Sequence, residues 1–377
     1  MAVTSLRLLL LALVFQGVQL FAATLPEDQV DILYHSYEGG GVTINGPSIL
    51  VRKTVLDDFS FSANYYVDMV TSASIDVITT ASEYTEERTQ YSVGFSYLND
   101  KTTIGMNFTS SDESDYEAGT ASISISQDFF SNLTSLAINY SVGSDTVRKN
   151  GQDDFERDID RQNYRLDLTQ IITKDFFITL AAEGITDEGF LNNPYRQVRY
   201  LDPTVPLGYS YQPELYPETR TSNAVALTGR YFLPYRAAIF AEIRSYNDSW
   251  GIKAQNYELG YIHPLDENLT LEISYRAYDQ TEADFYEDLF PYQDAQNFLA
   301  RDKELSTFTS NAIALGATYD FKMGGEFFDR GSVNLYYNYI QFDYDNFRDL
   351  TVTATPGTEP FYSLDADVIR AFVSFWF

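Results

Sequence analysis

Residues 59–69 read FSFSANYYVDM, and this stretch decides the fold. Phe59, Phe61, Ala63, Tyr65, Val67 and Met69 fall in one row, and Ser60, Ser62, Asn64, Tyr66 and Asp68 in the other. Successive side chains of a strand point to opposite faces, so the segment predicts a strand with one apolar and one polar face. The period recurs along the chain. Tyr91, Val93, Phe95 and Tyr97 oppose Gln90, Ser92, Gly94 and Ser96; Ala121, Ile123 and Ile125 oppose Thr120, Ser122, Ser124 and Ser126. Ile138 and Tyr140 oppose Ala137, Asn139 and Ser141, and residues 269–278 repeat the pattern.

Two architectures give such alternation. In a soluble sandwich the apolar face is the core; in a transmembrane barrel it meets lipid and the polar face lines the lumen. Connection lengths separate them. About 16 strand-like segments (14–16), each of roughly 9–13 residues, fit the span of a tilted strand across a bilayer. Their connections alternate short and long. Short ones fall at 56–58, 99–101, 128–132, 173–175, 233–235, 263–267 and 322–330, and long ones at 71–87, 143–158, 186–219, 280–304 and 345–364. Sorting tight turns to one side and long loops to the other is the outer-membrane rule of periplasmic turns and extracellular loops. The expected fold is therefore an all-β, antiparallel up-and-down transmembrane barrel in the bacterial outer membrane. Its first strand lies near Val30–Tyr37 and turns through Gly39, Gly40 and Gly41. Lys53 interrupts the otherwise apolar row of Ile49 and Val51 in the second.

The two ends of the chain agree. MAVTSLRLLLLALVFQGVQLFAA places one base, Arg7, before the apolar run Leu8–Phe21 and two small residues. That predicts a signal peptide over 1–23 and a barrel over 24–377. The run is short for a membrane anchor. At the other end, VIRAFVSFWF (368–377) sets Ile369, Ala371, Val373, Phe375 and Phe377 in one outward row. A closing phenylalanine after alternate apolar positions resembles the signal read by the barrel-assembly machinery, and Ile369, Val373, Phe375 and Phe377 are its candidates here.

Composition fits this reading. The 377 residues include 30 Tyr and 27 Phe but 2 Trp, as expected where aromatic girdles mark two interfaces. The 54 acidic against 25 basic residues give a net charge of −29, which repels phosphate backbones and argues against nucleic-acid binding. Cysteine is absent, which excludes disulfides and thiolate metal sites. Nine charges fall in the polar rows and are assigned to the lumen: Arg165, Asp167, Glu183, Arg230, Glu242, Arg244, Glu258, Glu272 and Arg276. Their mixed signs suggest cross-strand ion pairs set in a hydrated wall, not a one-sign selectivity ring.

Catalytic chemistry is scarce. His263 precedes Pro264 in an expected turn, and His35, in YHSYEGGG, has no His/His or His/Cys spacing beside it. No phosphate loop, zinc motif or nucleophile elbow is present, so an enzyme is not expected. No cofactor is expected either. SSDESDYE (110–117), GQDDFERDID (151–160), DQTEADFYEDLF (279–290) and FDYDNFRD (342–349) make the external loops acidic. Oxygen-rich loops of this kind suit Ca²⁺ or the cations of lipopolysaccharide, although 279–288 lacks the EF-hand spacing. VTSASIDVITTAS (70–82) is too apolar for a wetted loop. With Gly39–Gly41 it is a candidate lumen plug or partner contact through Val70, Ser74, Asp76 and Ser82, or else a hairpin prolonging the strands.

YHSYEGGGVTINGPSILVRK (34–53) and YYVDMVTSASIDVITTASEYTEERTQY (65–91) resemble a family of uncharacterised Gram-negative outer-membrane proteins with a domain of unknown function. The resemblance is strongest over 34–91. It brings no established activity and no catalytic residues. The family's genes resemble members of clusters with flavin-transferase and thioredoxin-like proteins, which implies a link to envelope redox assembly. Two functions follow as expectations. One is a porin-like channel for small solutes with weak cation preference, in contact with outer-membrane lipid and lipopolysaccharide. The other is a non-conducting scaffold for an envelope lipoprotein or redox-assembly partner.

Overall fold

A computed structural model describes residues 24–72, 84–325 and 327–377. The signal peptide expected over 1–23, and Ser74, Asp76 and Ser82 of the candidate plug, lie outside the described residues. The strands are β1 (Gln29–Gly39), β2 (Val42–Val55), β3 (Phe59–Ser72), β4 (Tyr84–Asn99), β5 (Thr102–Asp112), β6 (Tyr116–Phe129), β7 (Thr134–Lys149), β8 (Gln152–Thr173), β9 (Phe176–Gly189), β10 (Gln197–Leu201), β11 (Tyr209–Pro213), β12 (Thr219–Phe232), β13 (Ala238–Asp248), β14 (Lys253–Pro264), β15 (Leu269–Gln280), β16 (Phe308–Lys322), β17 (Arg330–Arg348) and β18 (Phe361–Trp376). All but β10 and β11 join in one closed antiparallel sheet of sixteen strands, β1 pairing with β18 from Gln29↔Trp376 to Gly39↔Ala366. Closure leaves no edge, so every ladder N–H and C=O has a partner inside the protein, as hydrocarbon requires.

The rows fall as the alternation predicts. Ile32 and Tyr34 on β1, Phe61, Tyr65 and Met69 on β3, Leu166 on β8, Ile243 on β13, Leu259 on β14 and Leu335 on β17 all point outward and are exposed. The outward row of β3 from Phe59 to Met69 is about 25 Å tall at the usual rise and tilt, which matches a bilayer core. Tyrosines populate its external half: Tyr34, Tyr65, Tyr91, Tyr164, Tyr257, Tyr275 and Tyr337 are all outward and exposed. At the other edge Phe59 stacks on Tyr97 with ring centroids 4.8 Å apart, and Phe328 packs on Phe375 at 5.3 Å. This closed sheet, sheathed in apolar side chains between two aromatic girdles, is an outer-membrane barrel. Lys53 stands in the outward row at the periplasmic rim. Its ammonium reaches Asp28 at 2.5 Å and lies 4.7 Å from the Phe377 ring, so the base snorkels out of lipid.

Above the tyrosines the polarity of the rows inverts. On β17 the apolar residues are Val333, Leu335 and Tyr337, outward; then Ile340, Phe342 and Tyr344, inward and buried. Asp343 and Asp345 take the outward places. On β18 Asp365 and Asp367 face out while Ala366 and Val368 face in, and on β1 Glu38 faces out beside inward Tyr37. Tyr37, Val42, Ile44, Val70, Ile340, Phe342, Ala366 and Val368 form one apolar cluster inside the upper barrel. The switch marks the level where lipid gives way to water: below it the outer face is apolar, above it the inner face is.

This inversion explains where the expected loops differ from the observed ones. Residues 143–158 are strand, not loop, since β7 and β8 stay paired up to the Asn150–Gly151 turn. Above the membrane Tyr116, Val147 and Ile159 still bury an inner cluster, so pairing continues and β8 reaches 22 residues. The stretch 186–219 contains a hairpin, β10–β11, that the alternation did not reveal. Gly40 and Gly41, both at positive φ, make the tight external β1–β2 turn, as glycine there permits.

Leu259 lies between the outward Tyr257 and Tyr261, at mid-membrane. Leu259→Arg is expected to destabilise the folded barrel by about 2–4 kcal/mol, while Ser124→Arg, facing the lumen, leaves it unchanged. Urea unfolding in lipid vesicles measures both.

Candidate functional site: the charged lumen and its cap

Each of the nine charges assigned to the lumen sits in the row opposite the exposed apolar residues of its strand. Arg165 on β8 makes a double hydrogen bond to Asp167, Nε to Oδ2 and Nη2 to Oδ1, both at 2.8 Å. Glu183 on β9 accepts from Arg244 Nη2 at 3.1 Å and from Asn163 Nδ2 at 3.0 Å. Thr228 donates to Glu242 at 3.0 Å. Glu242 and Glu258 are direct cross-strand neighbours, and Arg276 stands opposite Glu258 on the next strand. Arg230 lies over the Phe240 ring at 5.6 Å, and Glu272 faces Gly316. Arg244 and Glu183 pair across the intervening β12, whereas Arg165 pairs along its own strand because residues two apart share a face. The side chains of Arg244 and Glu183 are 37% and 18% exposed, so this pair is partly open to the barrel interior.

The wall from β3 to β7 carries no such ladder. Its inward residues at this height are small and polar. Ser92 and Thr109 share a hydrogen bond at 2.9 Å, Asn107 donates to Thr109 at 3.1 Å and Asn64 to Ser48 at 3.0 Å. Asn107 faces inward and is nonetheless exposed, so the barrel interior has open space beside it at this height.

At the level of the tyrosines His35 has structural partners. It is buried, its ring stacks on Tyr66 at 4.8 Å, and its Nε2 lies 2.7 Å from Asp68 Oδ1 and 3.0 Å from the Tyr66 hydroxyl. Arg88 donates to the other Asp68 oxygen at 3.4 Å and stands 3.7 Å from Glu113. The cluster pins β1, β3 and β4 together. The carboxylates of Glu86, Glu113 and Asp115 lie within 4.8 Å of one another beside it. His263 accepts or donates at 2.8 Å with Tyr261 at the periplasmic end.

Over the mouth, the loops 190–218, 281–307 and 349–360 form a cap that the sequence did not announce. Its centre is Arg199 of β10, fully buried. Arg199 Nε donates to the Asp288 carbonyl at 3.0 Å, Nη1 and Nη2 to the two Glu359 oxygens at 2.6 and 3.1 Å, and Nη2 also to the Asp288 carboxylate. Asp288 further accepts from Arg301 Nε at 3.1 Å and from the Arg348 amide at 3.1 Å. Around this latch lie Val198, Phe290 and Leu299 on one side, and Tyr216, Trp250, Phe285, Tyr286 and Leu305 on the other. The cap is tied across the rim: Tyr195 donates to Asp115 at 2.7 Å, and inward Gln280 donates to the carbonyls of Glu304 and Ser306 at 2.9 and 2.8 Å. Gly39 and Val70 belong to the barrel wall, Val70 wholly buried in its inner cluster. The only trace of the cap in the sequence is the pairing of QVRYL with YSYQP about a Pro- and Gly-containing turn.

Burial, with Asp302 nearby, pushes the Glu214 carboxyl up to about 7. Burial works against ionised Glu359, but its hydrogen bonds from Arg199 hold it below the usual carboxylate range.

A family described as "Protein of unknown function (DUF3570)" matches residues 79–341, more than half of the chain. No curated protein matches. Among solved structures, a bacterial polysaccharide outer membrane secretin is 8% identical, with a TM-score of 0.49 over 95% of this chain and 99% of that one. The siderophore receptor PirA from Acinetobacter baumannii is 9% identical, with a TM-score of 0.44 over 93% of this chain and 60% of that one. Outer-membrane expressed OmpT of Vibrio cholerae is 9% identical, with a TM-score of 0.43 over 93% and 96%.

Two outcomes are expected for the cap. Arg199→Met leaves Glu359 buried without its cation and Asp288 with Arg301 in place of two close guanidinium partners, and destabilises the cap by about 3–5 kcal/mol; hydrogen exchange of amides 197–213 rises sharply while the barrel ladder stays protected. The second concerns pH. Folded Glu214 binds its proton more tightly than the unfolded chain does, so its contribution is full below pH 4.5 and is lost as pH rises through 7. Cap amides of the native chain therefore exchange faster at pH 8 than at pH 6 after correction for intrinsic rates, and Glu214→Gln removes the difference.

Proposed function

We propose, on the premise that this chain belongs to the DUF3570 family of proteins of unknown function, that it is an outer-membrane channel for small polar solutes with a weak preference for cations. The observation that supports this reading is the open space at mid-height in the barrel interior. Paired charges there face a wall of hydroxyl and amide groups, and inward Asn107 is exposed. A wall of locally neutralised pairs leaves no single-sign barrier to either ion. The sign preference comes from the ends: Glu38, Asp343, Asp345, Asp365 and Asp367 stand exposed on the external rim and draw cations to the mouth. The proposed role of Arg165, Asp167, Glu183, Arg230, Glu242, Arg244, Glu258, Glu272 and Arg276 is to keep the lumen wet and to hold its width. Ile369, Val373, Phe375 and Phe377 are proposed as the assembly signal. No enzymatic step belongs to this reading.

A second reading has its own support. The Val198–Phe290–Leu299 cluster and the Arg199 latch lie across the mouth, which suits a non-conducting barrel that holds an envelope lipoprotein or redox-assembly partner. Recording in planar bilayers separates the two. The channel reading expects small ohmic steps, a reversal potential of cation sign in a KCl gradient, and larger steps for Arg199→Met. Silence from folded native protein and from Arg199→Met alike removes it. A lipoprotein co-extracted in constant ratio, and lost when residues 70–82 are replaced by a Gly/Ser segment, supports the scaffold.

A further inference from the structure

One cavity of the external face plays no part in the lumen. It is a cleft of about 350 Å³ walled by the short β13–β14 turn and two cap loops. Its floor is aromatic: Trp250, Phe285 and Phe298. Trp250 and Phe285 meet edge to face at 5.2 Å and are buried, whereas Phe298, against Phe285 at 6.3 Å, is 40% exposed. Its rim is polar: Asp284, Gln296 and Asn297, all exposed. Their side chains make no hydrogen bond within the described protein, so one carboxylate and two carboxamides converge on an aromatic surface with their hydrogen-bonding capacity unspent.

The floor is held from below. The Trp250 indole N–H donates to the Thr219 carbonyl at 2.9 Å, the Arg220 guanidinium lies 4.5 Å from its ring, and its amide is fixed by Asp248 at 3.0 Å. Gly251, at positive φ, leaves the space in which the Asp284 carboxylate sits, and any Cβ there would meet Asp284 Oδ1. The cleft is thus a preformed surface on rigid supports, of a size to take one or two sugar rings.

We infer that this cleft binds a saccharide unit of the surrounding glycan. Three observations select that chemistry. Carboxamides and a carboxylate recognise vicinal hydroxyls in pairs, each offering or accepting where a sugar hydroxyl does the reverse. The exposed ring of Phe298 offers a flat apolar face to the C–H face of a pyranose. A cation would prefer the indole, the best of the three rings for that purpose, but Arg220 already occupies Trp250. Position agrees: the turn stands about 15 Å above the Tyr257 girdle at ordinary strand rise and tilt, among headgroup sugars and not among acyl chains. The inference does not depend on whether the lumen conducts.

Saturation-transfer NMR on the full-length protein, folded in a detergent without a sugar headgroup, tests it with glucose, galactose and N-acetylglucosamine, and with choline as the cationic control. At least one sugar is expected to receive saturation, strongest on the ring protons of one face, with an affinity at least tenfold weaker in Asn297→Ala and in Phe298→Ala. Both substitutions lie on exposed loop positions, and unchanged heat-modifiable migration on gels confirms folding. The inference is overturned if none of the three sugars receives saturation, if the Asn297→Ala/Phe298→Ala protein retains the full effect, or if choline alone responds.

Discussion

Hydrocarbon cannot hydrogen-bond to a peptide group, and everything in this molecule follows from that constraint. Each spanning segment must satisfy its backbone within the sheet, the sheet must have no edge, and sixteen strands close upon β1 and β18. Once the ladder is fixed, side-chain chemistry is left only two places to go. Lipid takes the outward row, and the inward row is free to carry Arg165, Glu183, Arg244 and their neighbours, which lipid would reject.

The same strands serve two solvents. Below the level of the tyrosines they are a membrane protein, and above it an ordinary β-domain with an apolar interior. On β17 the pairing with β18 runs unbroken from Arg330 to Asp343, and only the parity of the apolar residues changes, between Tyr337 and Ile340. The apolar interior gives the external loops something to pack on. The cap is therefore a continuation of the wall's inner core, with Arg301 lying over Phe347 at 4.4 Å and the Arg199 latch at its centre.

Period two was readable wherever one environment acted on a strand along its length. Phe59–Met69, the lumen charges and the outward row of Ile369–Phe377 are of that kind, because each side chain's place follows from a neighbour two residues away. What escaped has a common cause. Residues 143–158 looked like a loop because the parity flips there, so the alternation averages away. The partners of Arg199 are Asp288 and Glu359, which nothing local to QVRYL suggests. The pairing of His35 with Asp68 escaped for the same reason: a lone histidine in sequence acquires its meaning only when β1 and β3 are laid on either side of β2. The cleft at Trp250 draws on separate loops and shows no period at all.

The latch imposes an order of events. Arg199, Asp288 and Glu359 come from connections separated by most of the second half of the chain, and the last of them immediately precedes β18. The latch therefore cannot be completed until Glu359, on the last of these connections, has joined Arg199 and Asp288. The latch thus draws the loops of the chain's second half into one unit that no single connection can form by itself.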